Sequence, residues 1–130
     1  MIEQDPGPRT RFLAALREVE HSIDENLARA KTIKLRINVI RSHYAKGVPL
    51  SRIVTEEERP LIVELISQNT AELNFAGSRL RWAEAIALQA EGLTIAEIAR
   101  QFGVSRQRVS ALLNQPPKST MLQEASHDRP

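Results

Sequence analysis

The sequence predicts an all-α fold in which a long antiparallel helical hairpin, coiled-coil-like in its pattern, is followed by a small trihelical domain. Apolar residues recur at spacings of three and four along most of the chain, and no run alternates with a period of two. Glycine is scarce, with five in 130 residues, so long uninterrupted helices are possible. Hydrophobic residues make up 42% of the chain but aromatic residues only 4%, which predicts an aliphatic core.

The first helix is predicted over residues 9–46, after a disordered lead at 1–8. This stretch contains no Gly or Pro and would be roughly 55 Å long. Its apolar residues alternate steps of four and three, which is typical of a coiled coil or a helical hairpin. Together with Ala30, the seam contains Phe12, Leu16, Val19, Ile23, Asn26, Ile33, Ile37, Ile40 and Tyr44.

The second helix of the hairpin is predicted to begin between Glu56 and Leu61. Residues 47–54 are predicted to form a turn, in which Pro49 prevents the first helix from continuing. Thr55 with Glu58 forms a capping-box pattern. Gly77 and Ser78 mark a bend or break in this helix. The hairpin is therefore assigned to residues 9–77, and the proline-containing tail 115–130 is expected to be disordered.

Charge is distributed unevenly over the two helices. Residues 29–46 contain six basic residues and no acidic one, whereas residues 56–91 contain seven glutamates and three arginines. Antiparallel packing would place these segments opposite each other, and such exposed pairs define register more than stability. Alternatively, the basic segment follows DNA phosphates as a second contact surface.

The hairpin carries more apolar surface than two helices can bury against each other. Leu27, Leu35 and Val39 lie off the main seam of the first helix. A second copy of the chain would cover this surplus, so the predicted state is a homodimer whose 9–77 region forms a four-helix core. Asn26 would then pair with its counterpart and select register. The alternative is a monomer in which the trihelical domain packs back on the hairpin.

Residues 93–114, LTIAEIARQFGVSRQRVSALLN, predict two short helices joined by a tight turn. Ala99, Gly103, Val109 and Leu112 supply a close helix crossing, a positive-φ turn and a buried second helix. Ile95, Ile98 and Phe102 are predicted to form the buried side of the first helix. Thr94 with Glu97 predicts a capping box, and Ser105 predicts a cap on the second helix. Together these features predict a helix-turn-helix.

The segment EGLTIAEIARQFGVSRQRVSALL resembles the helix-turn-helix of bacterial transcription factors. It is similar to region four of sigma factors and to small phage or plasmid regulators, and RLRWAEAIALQAEG resembles the helix that precedes such motifs. The resemblance covers about residues 78–114, the assigned DNA-binding domain. Because nothing resembles the promoter-melting regions of a sigma factor, the resemblance implies a stand-alone regulator.

A recognition helix over residues 105–114 would enter the major groove of double-stranded DNA. Arg106 is predicted to contact guanine and Gln107 adenine, while Ala111 can contact a thymine methyl. Thr94 and Arg100 are predicted to contact the phosphate backbone through the first helix of the motif. The full predicted DNA-binding set is Thr94, Arg100, Ser105, Arg106, Gln107, Arg108, Ser110, Ala111 and Asn114.

No residue pattern points to catalysis or to a cofactor. His21, His43 and His127 are isolated, and the chain has no cysteine for a disulfide or a thiolate metal site. No membrane span or signal peptide is predicted, so a cytoplasmic protein at the nucleoid is expected.

The predicted function is a sequence-specific, dimeric transcriptional regulator acting as a repressor. The alternatives are a helical interaction protein that docks on RNA polymerase or another partner, and a phage or plasmid nucleoprotein factor for partition or packaging.

Overall fold

The protein folds as five α-helices in a computed structural model, which describes residues 7–117. Over that range no residue lies in a strand, which confirms the all-α prediction. The predicted lead and tail lie outside the described residues except for 7–8 and 115–117. The helices are α1 (Pro8–Ala45), α2 (Leu50–Glu56), α3 (Ile62–Ala90), α4 (Ile95–Phe102) and α5 (Arg106–Asn114).

The long first helix forms as its sequence predicts, over 38 residues without an interruption. Pro8 occupies the first helical position, where a missing backbone amide costs nothing. The helix ends at a turn in which Gly47 has φ +91. The amide of Val48 donates to the carbonyl of His43 at 3.1 Å, which closes the last turn.

The connection between the long helices differs from the prediction. Residues 47–54 were expected to form a turn, but α2 begins at Leu50 and buries Ile53. The predicted capping box at Thr55 and Glu58 is wrong, because the Thr55 hydroxyl donates to the Ser51 carbonyl inside α2 at 2.7 Å. A short helix with one buried anchor therefore replaces the turn.

Glu57 caps the start of α3 in place of Thr55. Its Oε2 accepts from the amide of Ile62 at 2.7 Å. Pro60 has no backbone amide to donate within a helix, and α3 begins two residues after it, at Ile62. The Ile62 amide has no partner within the helix, so it donates to the Glu57 carboxylate. α3 then continues through Gly77 and Ser78 without the predicted break.

The chain divides into two compact units that cut across both long helices. Within the described residues, the hairpin unit is His21–Leu73, and the terminal unit contains residues 7–20 and 74–117. The domain boundaries proposed from the sequence, 9–77 and 78–114, are not tested by this division and stay a prediction.

Polar contacts hold α1 and α3 antiparallel within the hairpin unit. Arg29 lies 2.9 Å from Glu72 and donates to Asn69 Oδ1 at 3.2 Å. The Asn69 amide donates in turn to the Asn26 carbonyl at 3.3 Å. At the other end, Arg36 donates to the carbonyls of Glu58 and Pro60. These contacts confirm an antiparallel hairpin in which basic α1 residues meet the acidic region.

The predicted seam of α1 has two kinds of position in the hairpin unit. Ile33 is buried, and Ile37 and Ile40 are half-buried. Ile23 and Tyr44 remain exposed at 44% and 62%. The Asn26 side chain donates to the Ser22 carbonyl at 2.9 Å. In the terminal unit Phe12 and Val19 are half-buried and Leu16 is exposed. Their assignment to a dimer interface stays a prediction.

Candidate DNA-binding site

A small apolar core holds the last three helices together. Ala85 of α3, Ile98 and Ala99 of α4, and Val109 of α5 are all nearly or fully buried. Half-buried side chains surround this core: Leu88, Leu93, Phe102, Val104, Leu112 and Leu113. Because Ala99 has no side chain beyond Cβ, α4 and α5 can cross closely at this point. This packing fixes the orientation of α5 on the domain.

The turn between α4 and α5 depends on Gly103. Its φ of +70 lies in the left-handed region, and no atom lies within 4 Å of where a Cβ would stand. The amide of Val104 donates to the Ala99 carbonyl at 3.0 Å. The predicted positive φ is confirmed, and glycine is needed there for its backbone conformation rather than for space.

Both predicted helix caps are present in this motif. The Thr94 hydroxyl accepts from the Glu97 amide at 3.2 Å, and the Glu97 carboxylate accepts from the Thr94 amide at 3.0 Å. Hydrogen bonds that the Thr94 backbone amide and hydroxyl donate to the Glu97 carboxylate lower its pKa, helped by the nearby positive charge of Arg100. The Ser105 hydroxyl accepts from the Arg108 amide at 3.1 Å.

One residue of the motif lies elsewhere than predicted. Ile95 was expected on the buried side of α4, but 36% of it is exposed. It occupies the first helical position, one turn before the buried Ile98 and Ala99. Half-buried Ala96 is the inward residue of that turn.

The outer face of α5 carries most of the predicted contact residues. Arg106, Gln107, Arg108, Ala111 and Asn114 are exposed, whereas Ser110 is half-buried. Val109, between them in sequence, has no exposed surface. This helix therefore presents two arginines, a glutamine and an asparagine outward, but their contacts with individual bases stay a prediction.

Two predicted contact residues already use their hydroxyls in capping. Thr94 and Ser105 are both exposed, and each accepts one backbone hydrogen bond. A hydroxyl retains its own proton as a donor, so Ser105 can still donate to a phosphate oxygen. The Thr94 hydroxyl also stabilises the Glu97 carboxylate. Arg100 is exposed at the end of α4, close enough to Glu97 to influence its pKa.

Sequence reasoning missed two arginine contacts in the terminal unit. Arg79 makes a two-bond pair with Glu18, from Nε to Oε2 at 2.7 Å and from Nη2 to Oε1 at 3.2 Å. The Arg81 guanidinium lies 4.3 Å from the centre of the Phe102 ring. Arg81 and Arg108 also line one open cleft of about 320 Å³ beside α5. Helical spacing could not have shown contacts between residues so far apart in sequence.

A comparison with protein families matches this region. Residues 76–116 match the family model of the homeodomain-like domain, which covers the end of α3 and all of α4 and α5. The match supports a helix-turn-helix DNA-binding protein. No curated protein and no solved structure gives a significant match to the chain.

Residues 7–117 contain neither a metal-binding cluster nor a membrane-spanning helix. No group of three or more histidine, aspartate or glutamate side chains is placed to hold a metal ion within that range. None of the helices there is both long enough and apolar enough to cross a membrane.

Proposed function

We propose that this protein is a sequence-specific, double-stranded DNA-binding transcriptional repressor that acts as a homodimer in the cytoplasm, at the nucleoid, and has no enzymatic activity. The observation that supports this most is the exposed polar face of α5, held on a packed helix-turn-helix by the buried Val109. A rigid helix of this kind fits the major groove, where each base pair presents a distinct pattern of donors and acceptors.

Arg106 and Gln107 are the proposed readers of base sequence. They occupy the first two positions of α5, and both are exposed. The N-terminal residues of a recognition helix approach the base edges most closely. A guanidinium can donate two hydrogen bonds to guanine, and a carboxamide can both donate to and accept from adenine. Thr94, Arg100, Ser105, Arg108, Ser110, Ala111 and Asn114 complete the proposed contact set.

A homodimer is proposed because the hairpin unit leaves large apolar side chains exposed. Ile23 is 44% exposed, Leu27 59% and Val63 60%. Exposed apolar surface of this kind is typical of a protein interface. A two-fold dimer would place two α5 helices on half-sites about 34 Å apart, or a multiple of that distance. An inverted repeat bound in this way would exclude other proteins from the same DNA, which is the simplest route to repression.

A second candidate is an interaction protein whose hairpin docks on RNA polymerase or another partner. It is favoured by the exposure of Leu50 and Val54 on α2, at 55% and 49%. A short helix with an exposed apolar pair is a possible partner surface. In that case, α5 would be secondary to the hairpin.

A double substitution in α5 separates these candidates. Arg106→Ala with Gln107→Ala removes two base contacts, each worth about 1–3 kcal/mol of discrimination. We expect at least a tenfold loss of affinity for the selected site, with little change on random duplex. Arg52→Ala with Gln68→Ala is the matched control, since both residues are exposed in the hairpin unit. Equal affinity of all three proteins for the selected site would contradict direct readout by α5.

A further inference from the structure

A row of polar and basic side chains follows one face of α1 in the hairpin unit. Lys31, Lys34, Asn38 and Arg41 are spaced by three, four and three residues, which places them on the same side of a helix. All four are exposed. We call this set the basic stripe. From Lys31 to Arg41 it extends about 15 Å along the helix axis.

The cations of the basic stripe lack the carboxylate partners that other arginines of the hairpin unit have. Arg29 lies 2.9 Å from Glu72, and Arg36 lies 3.7 Å from Glu58. Arg52 and Arg59 each lie 3.1 Å from a glutamate. Lys31, Lys34 and Arg41 form no ion pair with any residue of the range 7–117. Four glutamates of the expected local partner, the acidic segment, are therefore used by other arginines: Glu56, Glu58, Glu64 and Glu72.

We propose that Lys31, Lys34 and Arg41 bind the phosphate backbone of duplex DNA, as a contact surface separate from α5 and independent of base sequence. The proposal rests on the proposed DNA-binding function and adds a second region of the chain to it. Duplex DNA carries one negative charge per about 1.7 Å of its axis, so a straight row of cations about 15 Å long meets several phosphates. Asn38 accepts from Arg41 at 3.2 Å, and that hydrogen bond orients the guanidinium along the stripe.

A second copy of the hairpin is a poorer partner for this stripe than DNA. Five of its glutamates already pair with arginine or histidine: Glu25, Glu56, Glu58, Glu64 and Glu72. Asp24 is the remaining exposed acid of that unit, because Glu57 is half-buried and accepts from the Ile62 amide. One exposed carboxylate cannot neutralise three cations. A polyanion provides the regular negative charge that the chain itself does not.

The salt dependence of DNA binding tests the proposal. The triple variant Lys31→Ala, Lys34→Ala and Arg41→Ala removes three exposed cations. The slope of log K against log salt is negative, and each lost phosphate contact makes it less steep by about 0.9. We expect the steepness to decrease by about 2–3 on both the selected site and a random-sequence duplex, measured by fluorescence anisotropy. Specificity, the ratio of the two affinities, should not change.

A second triple variant controls for net charge. Arg17→Ala, Arg52→Ala and Arg59→Ala removes the same number of exposed cations from outside the stripe. We expect a slope close to that of the wild-type protein. The variant Lys31→Arg with Lys34→Arg keeps all the charges of the stripe, so its slope should equal that of the wild-type protein. Circular dichroism of each variant establishes that the helices are retained.

Two results would overturn the proposal. One is a slope equal in the stripe variant and the charge control, and the other is a change in sedimentation of the stripe variant with no change in slope. If the wild-type protein still selects a DNA site, either result rejects the phosphate contacts of the basic stripe and leaves the proposed function standing. If the wild-type protein binds no duplex at any salt concentration, the proposed function is rejected as well.

Discussion

Gly103 and Gly77 show how the same residue type has opposite consequences at two positions. Gly103 has φ +70 at the turn of the motif, whereas Gly77 lies inside α3. Nothing lies within 4 Å of a Cβ built on either residue. The difference between them is therefore one of backbone conformation alone.

Alanine at these two glycines should change stability in opposite directions. Gly103→Ala forces a Cβ into the left-handed region and should destabilise the protein by about 1–2 kcal/mol. Gly77→Ala removes glycine from a helix interior and should stabilise it by about 0.5–1 kcal/mol. Urea denaturation monitored at 222 nm measures both changes. Equal shifts of the two midpoints in one direction would contradict the turn geometry.

The capping box at Thr94 predicts a specific dependence on pH. The pKa of Glu97 lies below its ordinary value, so its carboxylate stabilises the fold above the ordinary pKa and this contribution is lost as pH falls through the lowered pKa. Glu97→Gln should therefore be less stable than the wild-type protein at pH 7. The gap should close in acid. Thermal unfolding of both proteins, measured from pH 7 down to a pH below the lowered pKa of Glu97, tests the prediction. Glu91→Gln is a neighbouring control outside the capping box. A gap that widens in acid would contradict it.

At the scale of the elements, local signals predicted more than distant ones. The caps of α4 and α5 were predicted from Thr94, Glu97 and Ser105 because each cap joins residues three positions apart. The α2 helix was missed because its seven residues are too few for a periodic pattern. The Glu18–Arg79 pair was missed because it depends on tertiary packing.

The exposure of Ile95 shows that tertiary packing was also hard to predict within the motif. Apolar spacing placed this residue on the inward side of α4, and the structure leaves 36% of it exposed. Periodicity identifies which residues share a helix face but not how far a neighbouring helix extends over that face. The core positions Ile98, Ala99 and Val109 were predicted because several signals agreed at each of them.

The link between α1 and α3 depends on Arg29 more than on any exposed ion pair. Its side chain is 20% exposed and bonds to Glu25, Glu72 and Asn69. Arg29→Ala leaves the partly buried Glu72 carboxylate without its ion pair and should cost about 1–3 kcal/mol. Arg52→Ala removes a pair on α2 whose arginine is 65% exposed and should cost no more than about 0.5 kcal/mol. Chemical denaturation compares them, and equal costs would mean that Arg29 does not join the helices.

At the scale of the whole molecule, the exposed apolar side chains of α1 suggest where a second copy binds. Ile23 and Leu27 are separated by four residues and so share one face, at 44% and 59% exposed. Leu35 and Val39 are likewise four residues apart and are also exposed, but helical spacing turns them away from the first pair. These two pairs allow a matched comparison.

Glutamates at the first pair should dissociate the proposed dimer. Ile23→Glu with Leu27→Glu puts two charges into the interface and should convert a dimer to a monomer. The same change at Leu35 and Val39 adds equal charge and should leave the dimer intact. Sedimentation equilibrium measures both masses. A monomeric wild-type protein, or a dimer in every variant, would contradict this interface.

The most direct test of the central claim is selection of binding sites from a random double-stranded DNA library, followed by footprinting on the enriched sequence. A sequence-specific dimer predicts an inverted repeat whose half-sites are spaced by about one helical turn, or a multiple of it. Protection should be lost when Arg106 and Gln107 are replaced by alanine. No enrichment over the starting library, with only weak and salt-sensitive binding, would contradict sequence-specific recognition by α5.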